Sequence, residues 1–275
     1  MRLSELGELG LIAELERRGL ARGIENDAAQ LAGGIVVTQD ALVEGVHFRL
    51  DWISWQDLGW RAAAVNLSDL AASGAVPDGL VVSLALPADT AVEDALALYE
   101  GMAETDVPVI GGDTSRAERI TLSVTALGRS ERVPGRGGAR PGDRLVVTGP
   151  LGAAGAAFRE GRYVRPPLRL AEGRALAAHA TAMLDLSDGL AVDAQHITHR
   201  SGCRLVVDLD RVPLAPGARV EDLGFGEDYE LLAAVPDSTG FAQIGHCVEG
   251  EGVELLLHGT PTTLEGWDHF KPSSG

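Results

Sequence analysis

RSERVPGRGGARPGD, residues 129–143, decides how the chain divides. The stretch is rich in Arg, Gly and Pro and has neither helical period nor strand alternation, so it reads as a connection between two domains. Its flanks are long enough for two domains of about 140 residues each, placed at 1–135 and 136–275 of a 275-residue chain. On the N-terminal side, Leu3, Leu6, Leu9, Ile12 and Leu15 form a helical stripe over 3–18 that ends at Gly19. GIVVTQD (34–40) reads as a short strand, and WQDLGWRAAAVNLSDLAAS (55–73) as a helix closed by Gly74. Strands are expected at 81–87 and 120–128, a helix at 91–104, and a strand at 107–110 that runs into a turn, GGDTSR. Beyond the connection, LVVTGPLGAAGAA reads as strand, glycine turn and helix, and a second helix covers 168–180. MLDLSDGL then begins a third helix, strands follow at 204–210 and 229–235, and weak alternation runs to 257. Neither half keeps a strict strand–helix–strand rhythm, so the expected class is α+β in two domains rather than one doubly wound sheet.

Composition narrows the function. Forty acids against 23 Lys and Arg give a formal charge of −17, which disfavours nucleic acid and anionic membrane surfaces alike. No apolar run approaches the roughly 20 residues of a spanning helix, and MRLSELGELG carries acids where a secretory signal is apolar. Cys203 and Cys247 cannot make a disulfide framework and read as small buried residues of a cytoplasmic protein. The single lysine is Lys271. P-loop hydrolases, protein kinases and pyridoxal-phosphate enzymes all need a lysine within the fold, and all three are excluded. Thirty-five glycines, well above the usual share of roughly 7%, point to tight turns and close backbone approach.

Six aspartates share one setting: Asp27 in ENDAA, Asp40 in VVTQDA, Asp69 in NLSDLAA, Asp113 in VIGGDTS, and Asp185 and Asp188 in MLDLSDGL. Each sits among Ala, Leu, Val and Gly, where an uncompensated carboxylate is costly to bury. Any one alone could be a helix cap. Together, with few basic residues nearby, they point to divalent metal, and to several Mg²⁺ ions in particular, because magnesium takes hard oxygen ligands shared with substrate phosphates. The turns VIGGDTS and VTGPLGAAG could each aim backbone amides at an anion, or be turns and nothing more. Arg136 and Arg140 could clamp phosphate oxygens or be solvated loop charges.

Nine short motifs then appear in order: ENDAA (25–29), VTQDALVEGVHF (37–48), AVNLSDLAASGA (64–75), VIGGDTSR (109–116), GARPGD (138–143), VTGPLG (147–152), MLDLSDGL (183–190), GEDYELL (226–232) and GWDHF (266–270). The chain resembles the thiamine-monophosphate kinases, members of an ATP-binding superfamily that also holds aminoimidazole-ribonucleotide synthetase, selenophosphate synthetase and a hydrogenase maturation factor. The likeness runs from about residue 24 to Phe270, and EGVHF, NLSDLAA, GGDTSR, GEDYEL and GWDHF belong to the kinase rather than to the superfamily at large. It implies ATP- and Mg²⁺-dependent phosphorylation of thiamine monophosphate to thiamine diphosphate, a step in making that cofactor. It also implies Mg²⁺ at Asp27, Thr38, Gln39, Asp40, Asp69, Asp113, Asp185 and Asp188, with transfer centred on Asp113 and Asp188. ATP contacts are implied at Gly112, Asp113, Arg136 and Ser187, and substrate contacts at His47, Glu227 and Trp267. The implied assembly is a homodimer whose N-terminal sheets join into a barrel.

These implications fit the residues chemically. The acceptor is already a phosphate, so its attacking oxygen is an anion near neutral pH and needs no general base. A carboxylate and an aromatic face suit a cationic thiazolium-pyrimidine ligand, although Glu227 could equally be a turn acid, Trp267 a satellite-cluster aromatic and His47 a structural histidine. Three positions depart from the family pattern: Glu25-Asn26-Asp27 stands for Gly-Asp-Asp, Gln39 for Thr or Ser, and Leu168 for a second proline in RPPLRL (165–170). The first departure leaves open a silent nucleotide- or thiamine-binding paralogue. Another synthetase of the superfamily is the remaining alternative, disfavoured because neither end carries a reactive cysteine.

Overall fold

The computed structural model describes residues 2–23 and 26–267. Helix α1 (Leu3–Arg17) follows the leucine stripe, interrupted at Gly7, where φ is 74°. Strands β1 (Ala29–Gln30), β2 (Ile35–Val43), β3 (Val76–Leu86), β4 (Val109–Arg116) and β5 (Thr121–Arg129) make one sheet in the order β1-β2-β5-β3-β4. Only β3 and β4 run parallel. Val36, Leu42, Leu80, Val82, Leu84, Leu122, Val124 and Ala126 fill one face of that sheet, as period-two alternation requires. They are covered by α2 (Trp55–Ala72) and α3 (Val92–Ala103).

The second sheet takes its strands from residues 144–262: β6 (Arg144–Val147), β7 (Ala182–Asp185), β8 (Arg204–Asp208), β9 (Leu231–Val235), β10 (Ala242–Val248), β11 (Val253–Leu257) and β12 (Thr260–Thr262). Their order is β12-β11-β8-β10-β6-β9-β7. Helices α4 (Ala153–Arg159), α5 (Leu170–Ala177) and α6 (Leu190–Ser201) complete this half. The architecture is therefore α+β on both sides of the connection.

Helix α2 joins the halves. The Ser54 hydroxyl accepts the Asp57 amide at 3.0 Å to start it, and Gly74 ends it, with the Ala75 amide reaching back to the Leu70 carbonyl at 2.8 Å. Its small side chains let it be buried on nearly every face from Ala62 to Ala72. Leu58, Leu67 and Leu70 belong to the first core, while Ala71 and Ala72 lie in a separate cluster with Val146, Leu176, Met183, Leu231 and Val235 of the second half. Leu70→Ala in such a site costs about 2–5 kcal/mol.

Three segments differ from the sequence reading. GGDTSR is not a turn but the body of β4, because its backbone pairs with β3 residue by residue from Gly111 to Arg116. Met183, Leu184 and Asp185 are strand β7 rather than the start of a helix; pairing with β9 claims their backbone, and α6 begins only after Gly189. The 129–143 connection is tied down: the Arg132 guanidinium donates to the carbonyls of Ala177 and Ala180, and Arg136 reaches Asp27.

Candidate active site

Four elements converge in the seam between the two sheets. The loop before β1 brings Asp27, β2 brings Thr38 and Asp40, α2 brings Asn66, Ser68 and Asp69, and the end of β7 brings Asp185. Carboxylate oxygens of Asp27, Asp69 and Asp185 all lie within 4.8 Å of one another. The Thr38 hydroxyl donates to Asp69, and Ser68 Oγ donates to Asp185 at 2.7 Å. The Asp40 amide donates to Asn66 Oδ1 at 3.0 Å, while Asn66 Nδ2 is spent on the Ala62 carbonyl. Along α2 the positions 66, 68 and 69 fall within one turn, so a single helical turn presents all three polar groups.

This cluster holds more negative charge than its surroundings neutralise. Burial raises Asp185 to about 8, with the Asp27 charge adding to the rise. Burial also pushes Asp69 well above the usual carboxylate range, reinforced by Asp185, Asp40 and Asp27. Asp27 is raised by burial against the pull of Arg136, whose Nε and Nη2 donate to Asp27 Oδ1 at 2.8 and 2.6 Å. One guanidinium thus faces three carboxylates. An all-oxygen donor set of three carboxylates and a hydroxyl is what a hard divalent cation such as Mg²⁺ takes.

A second layer forms around the loop after β7. Asp193, 3% exposed in the first turn of α6, accepts the amides of Asp188 and Gly189 at 3.0 and 3.1 Å. The Glu227 amide donates to the Ser187 carbonyl at 2.8 Å, and the Trp267 amide to the Asp188 carbonyl at 3.0 Å. Gly226, at φ 83°, permits this approach, since a Cβ there would collide with the Ser187 carbonyl. The segments GEDYELL and GW therefore lie directly against SDG, which brings Ser187, Asp188, Glu227 and Trp267 to one place. Asp268, His269 and Phe270 of the GWDHF motif fall outside the described residues.

Other expected residues sit elsewhere. Gln39 points to the face of the sheet opposite Thr38 and accepts from Thr125 Oγ1 at 3.2 Å, so its side chain is turned away from the acid cluster. Gly112 and Asp113 lie on β4, separated from β2 by β5 and β3, a span of about 14 Å at ordinary strand spacing. Within one chain they do not join the cluster. Gly112, at φ 154°, is confined to glycine because a Cβ would strike the Val82 carbonyl on β3. His47 Nδ1 accepts the Val43 amide at 3.0 Å and so closes the turn after β2. Arg140 is exposed, its amide donating to Asp143 at 2.8 Å. The glycine turn of VTGPLG is filled from inside: Asp228 accepts the Gly152 amide at 2.7 Å, so of the two readings of this turn the structure takes the one without an external anion at that amide.

The AIR synthase related protein N-terminal domain matches residues 25–130 and the corresponding C-terminal domain residues 140–255. A thiamine-monophosphate kinase of Aquifex aeolicus is 33% identical over 98% of this chain and 100% of its own length. One from Escherichia coli K12 is 35% identical, covering 96% and 98%. The structure of AaThiL complexed with AMPPCP and TMP superposes with a TM-score of 0.89 at 33% identity, over 98% of this chain and 99% of that one. The chain belongs to the thiamine-monophosphate kinase family. Where the thiamine-monophosphate kinase pattern has a second acid, Asn26 Oδ1 instead accepts the Arg136 amide at 2.9 Å, so this amide secures the connection that carries Arg136. The sequence reading of this kinase passed over Asn66, Ser68, Arg61 and Asp193. Asn66 and Ser68 were detectable as polar residues on an otherwise alanine- and leucine-lined helix. Asp193 was not, because a first-turn acid of a helix is ordinary.

Proposed function

We propose that the protein transfers the γ-phosphoryl group of ATP to the phosphate of thiamine monophosphate, yielding thiamine diphosphate and ADP. The observation that carries this reading is the Asp27–Asp69–Asp185 cluster, under-neutralised and set in the seam, in a chain 33% identical over nearly its full length to a thiamine-monophosphate kinase. Asp27, Thr38, Asp40, Asp69, Asp185 and Asp188 are the residues to hold Mg²⁺, with Gln39 able to contribute only through its backbone. Bound there, Mg²⁺ neutralises the phosphates that must meet. Arg136 holds Asp27 in place and, with Ser187, stands on the ATP side; Glu227, Trp267 and His47 stand on the acceptor side. The chain's contribution to the transfer is alignment and charge, since an anionic acceptor oxygen needs no base to deprotonate it.

The same reading includes a homodimer. Every residue of β4 is exposed, and among the described residues its outer edge pairs with no strand and β2 is covered by β1 only at Val36 and Val37. A second copy laid edge to edge would close the two sheets into a barrel, satisfy that backbone, and bring the partner's β4, with Gly112 and Asp113, toward β2. We also propose the division at 1–135 and 136–275 and a cytoplasmic setting, which two free thiols suit. The test is direct: purified protein with ATP, Mg²⁺ and thiamine monophosphate should form thiamine diphosphate. Tight binding of both ligands without product would instead identify a silent binder, and a light-scattering mass near 28.7 kDa would refute the dimer.

A further inference from the structure

Beside the SDG loop lies a polar cluster that the transfer chemistry does not use. Arg61, on α2 and only 5% exposed, donates from Nη2 to Glu227, yet its Nε is buried without a partner. Its guanidinium carbon stands 5.7 Å from the centre of the Tyr163 ring, and the Tyr163 hydroxyl is likewise buried and unpartnered. Tyr163 belongs to the irregular segment between α4 and α5. This segment is pinned across α2 by Arg165, which pairs with Asp57 and Glu104, and by the Trp60 indole, which donates to the Pro166 carbonyl at 3.0 Å. Two orphaned polar groups at one spot are uncommon in a folded protein and ask for a ligand. Arg61 lies eight residues from Asp69 on the same helix, about 12 Å along its axis. That is roughly the length separating the phosphate of thiamine monophosphate from its far ring.

We propose that Arg61 and Tyr163, with Glu227, read the aminopyrimidine end of the acceptor and so set its specificity. The proposal rests on the kinase reading above. An aminopyrimidine offers ring nitrogens that accept and an exocyclic amine that donates. The Arg61 Nε–H and the Tyr163 hydroxyl supply donors, and the Glu227 carboxylate supplies the acceptor. Arg61 also holds Glu227 in place, in the left-handed conformation (φ 57°) that its backbone adopts.

Two conservative variants test this without dismantling the site. Tyr163→Phe removes only an orphaned hydroxyl, so folding should be unharmed; Arg61→Lys keeps the charge opposite Glu227 but loses the Nε donor. Each should raise KM for thiamine monophosphate about five- to tenfold, with kcat and the KM for ATP within about twofold. Competitive inhibition by the phosphorylated thiazole half alone, which lacks the pyrimidine, should not weaken. An unchanged acceptor KM in both variants, or an equal weakening for the thiazole fragment, overturns the assignment. Failure of the wild-type protein to form thiamine diphosphate would instead overturn the kinase reading itself.

Discussion

Glu230 and Asp185 are both nearly sealed from solvent, 2% and 5% exposed; Glu230 immediately precedes β9, and Asp185 ends the neighbouring strand β7. Yet they are compensated in opposite ways. Glu230 takes both arms of Arg169, at 2.7 and 2.6 Å, and the Thr148 hydroxyl at 2.6 Å. Asp228, two residues before it, caps the start of α4. Asp185 receives one serine hydroxyl and faces Asp27, Asp69 and Asp40, with only the Arg136 guanidinium, bonded to Asp27, to offset them. Burial alone does not separate an acid that holds the fold from one that serves a ligand. The balance of partners does, because a buried carboxylate left short of donors persists only where something else binds it.

That contrast can be broken experimentally. Glu230→Ala, which leaves Arg169 with Glu172 alone and the Thr148 hydroxyl without its acceptor, should cost about 1–3 kcal/mol of stability in urea denaturation; a loss below about 0.5 kcal/mol would show that the satisfied acid is not structural. Asp69→Asn should lower kcat about 10²–10³-fold while leaving the metal-free melting temperature unchanged or higher, since it removes one of the mutually repelling charges. A lowered melting temperature with activity intact would reverse the assignment of the two groups.

The pH response follows from the same imbalance. Asp185 is pushed up to about 8 and Asp228 to about 7, both mainly by burial, against an ordinary value of 3.8. From pH 4 upward the folded protein keeps protons that the unfolded chain has released, so these groups favour the fold at lower pH and lose that contribution as pH climbs through their folded values. His196, held down to about 4 by burial, acts in the opposite sense, but only below its ordinary 6.5. Between pH 6.5 and 8, metal-free protein should therefore melt progressively lower, and Mg²⁺, which competes with those protons, should stabilise most at pH 8. A flat profile would remove the strain from the cluster. The smallest expected effect is at the family departure: Asn26→Asp should leave the Mg²⁺ dependence within about twofold, because Oδ1 is engaged with Arg136 rather than with the cluster. A marked tightening would place that corner among the ligands.

Local pattern carried much of this into the sequence. The alanine-rich helix, the leucine stripe and the acids embedded in apolar motifs were readable because each obeys a local period or violates local burial cost. GGDTSR was misread because glycine and aspartate favour turns in isolation, whereas parallel pairing with β3 overrides that preference. Met183–Asp185 was misread because three residues have no period of their own. The Asp228 cap on Gly152 and the Arg61–Glu227 pair join residues 76 and 166 positions apart. Only the packed chain decides which donors meet which acceptors, and no spacing rule reaches that far.

The unpaired rim formed by β4 and the far stretch of β2 has one more outcome. If each catalytic centre borrows Asp113 from across the subunit boundary, a chain lacking Asp69 and a chain lacking Asp113 are each dead alone, but co-refolded they should regain up to about a quarter of wild-type turnover. About one pairing in two is then a hybrid, and every hybrid keeps one intact centre of its two. Dilution should act in the same direction, silencing even the unaltered enzyme once protomers drift apart.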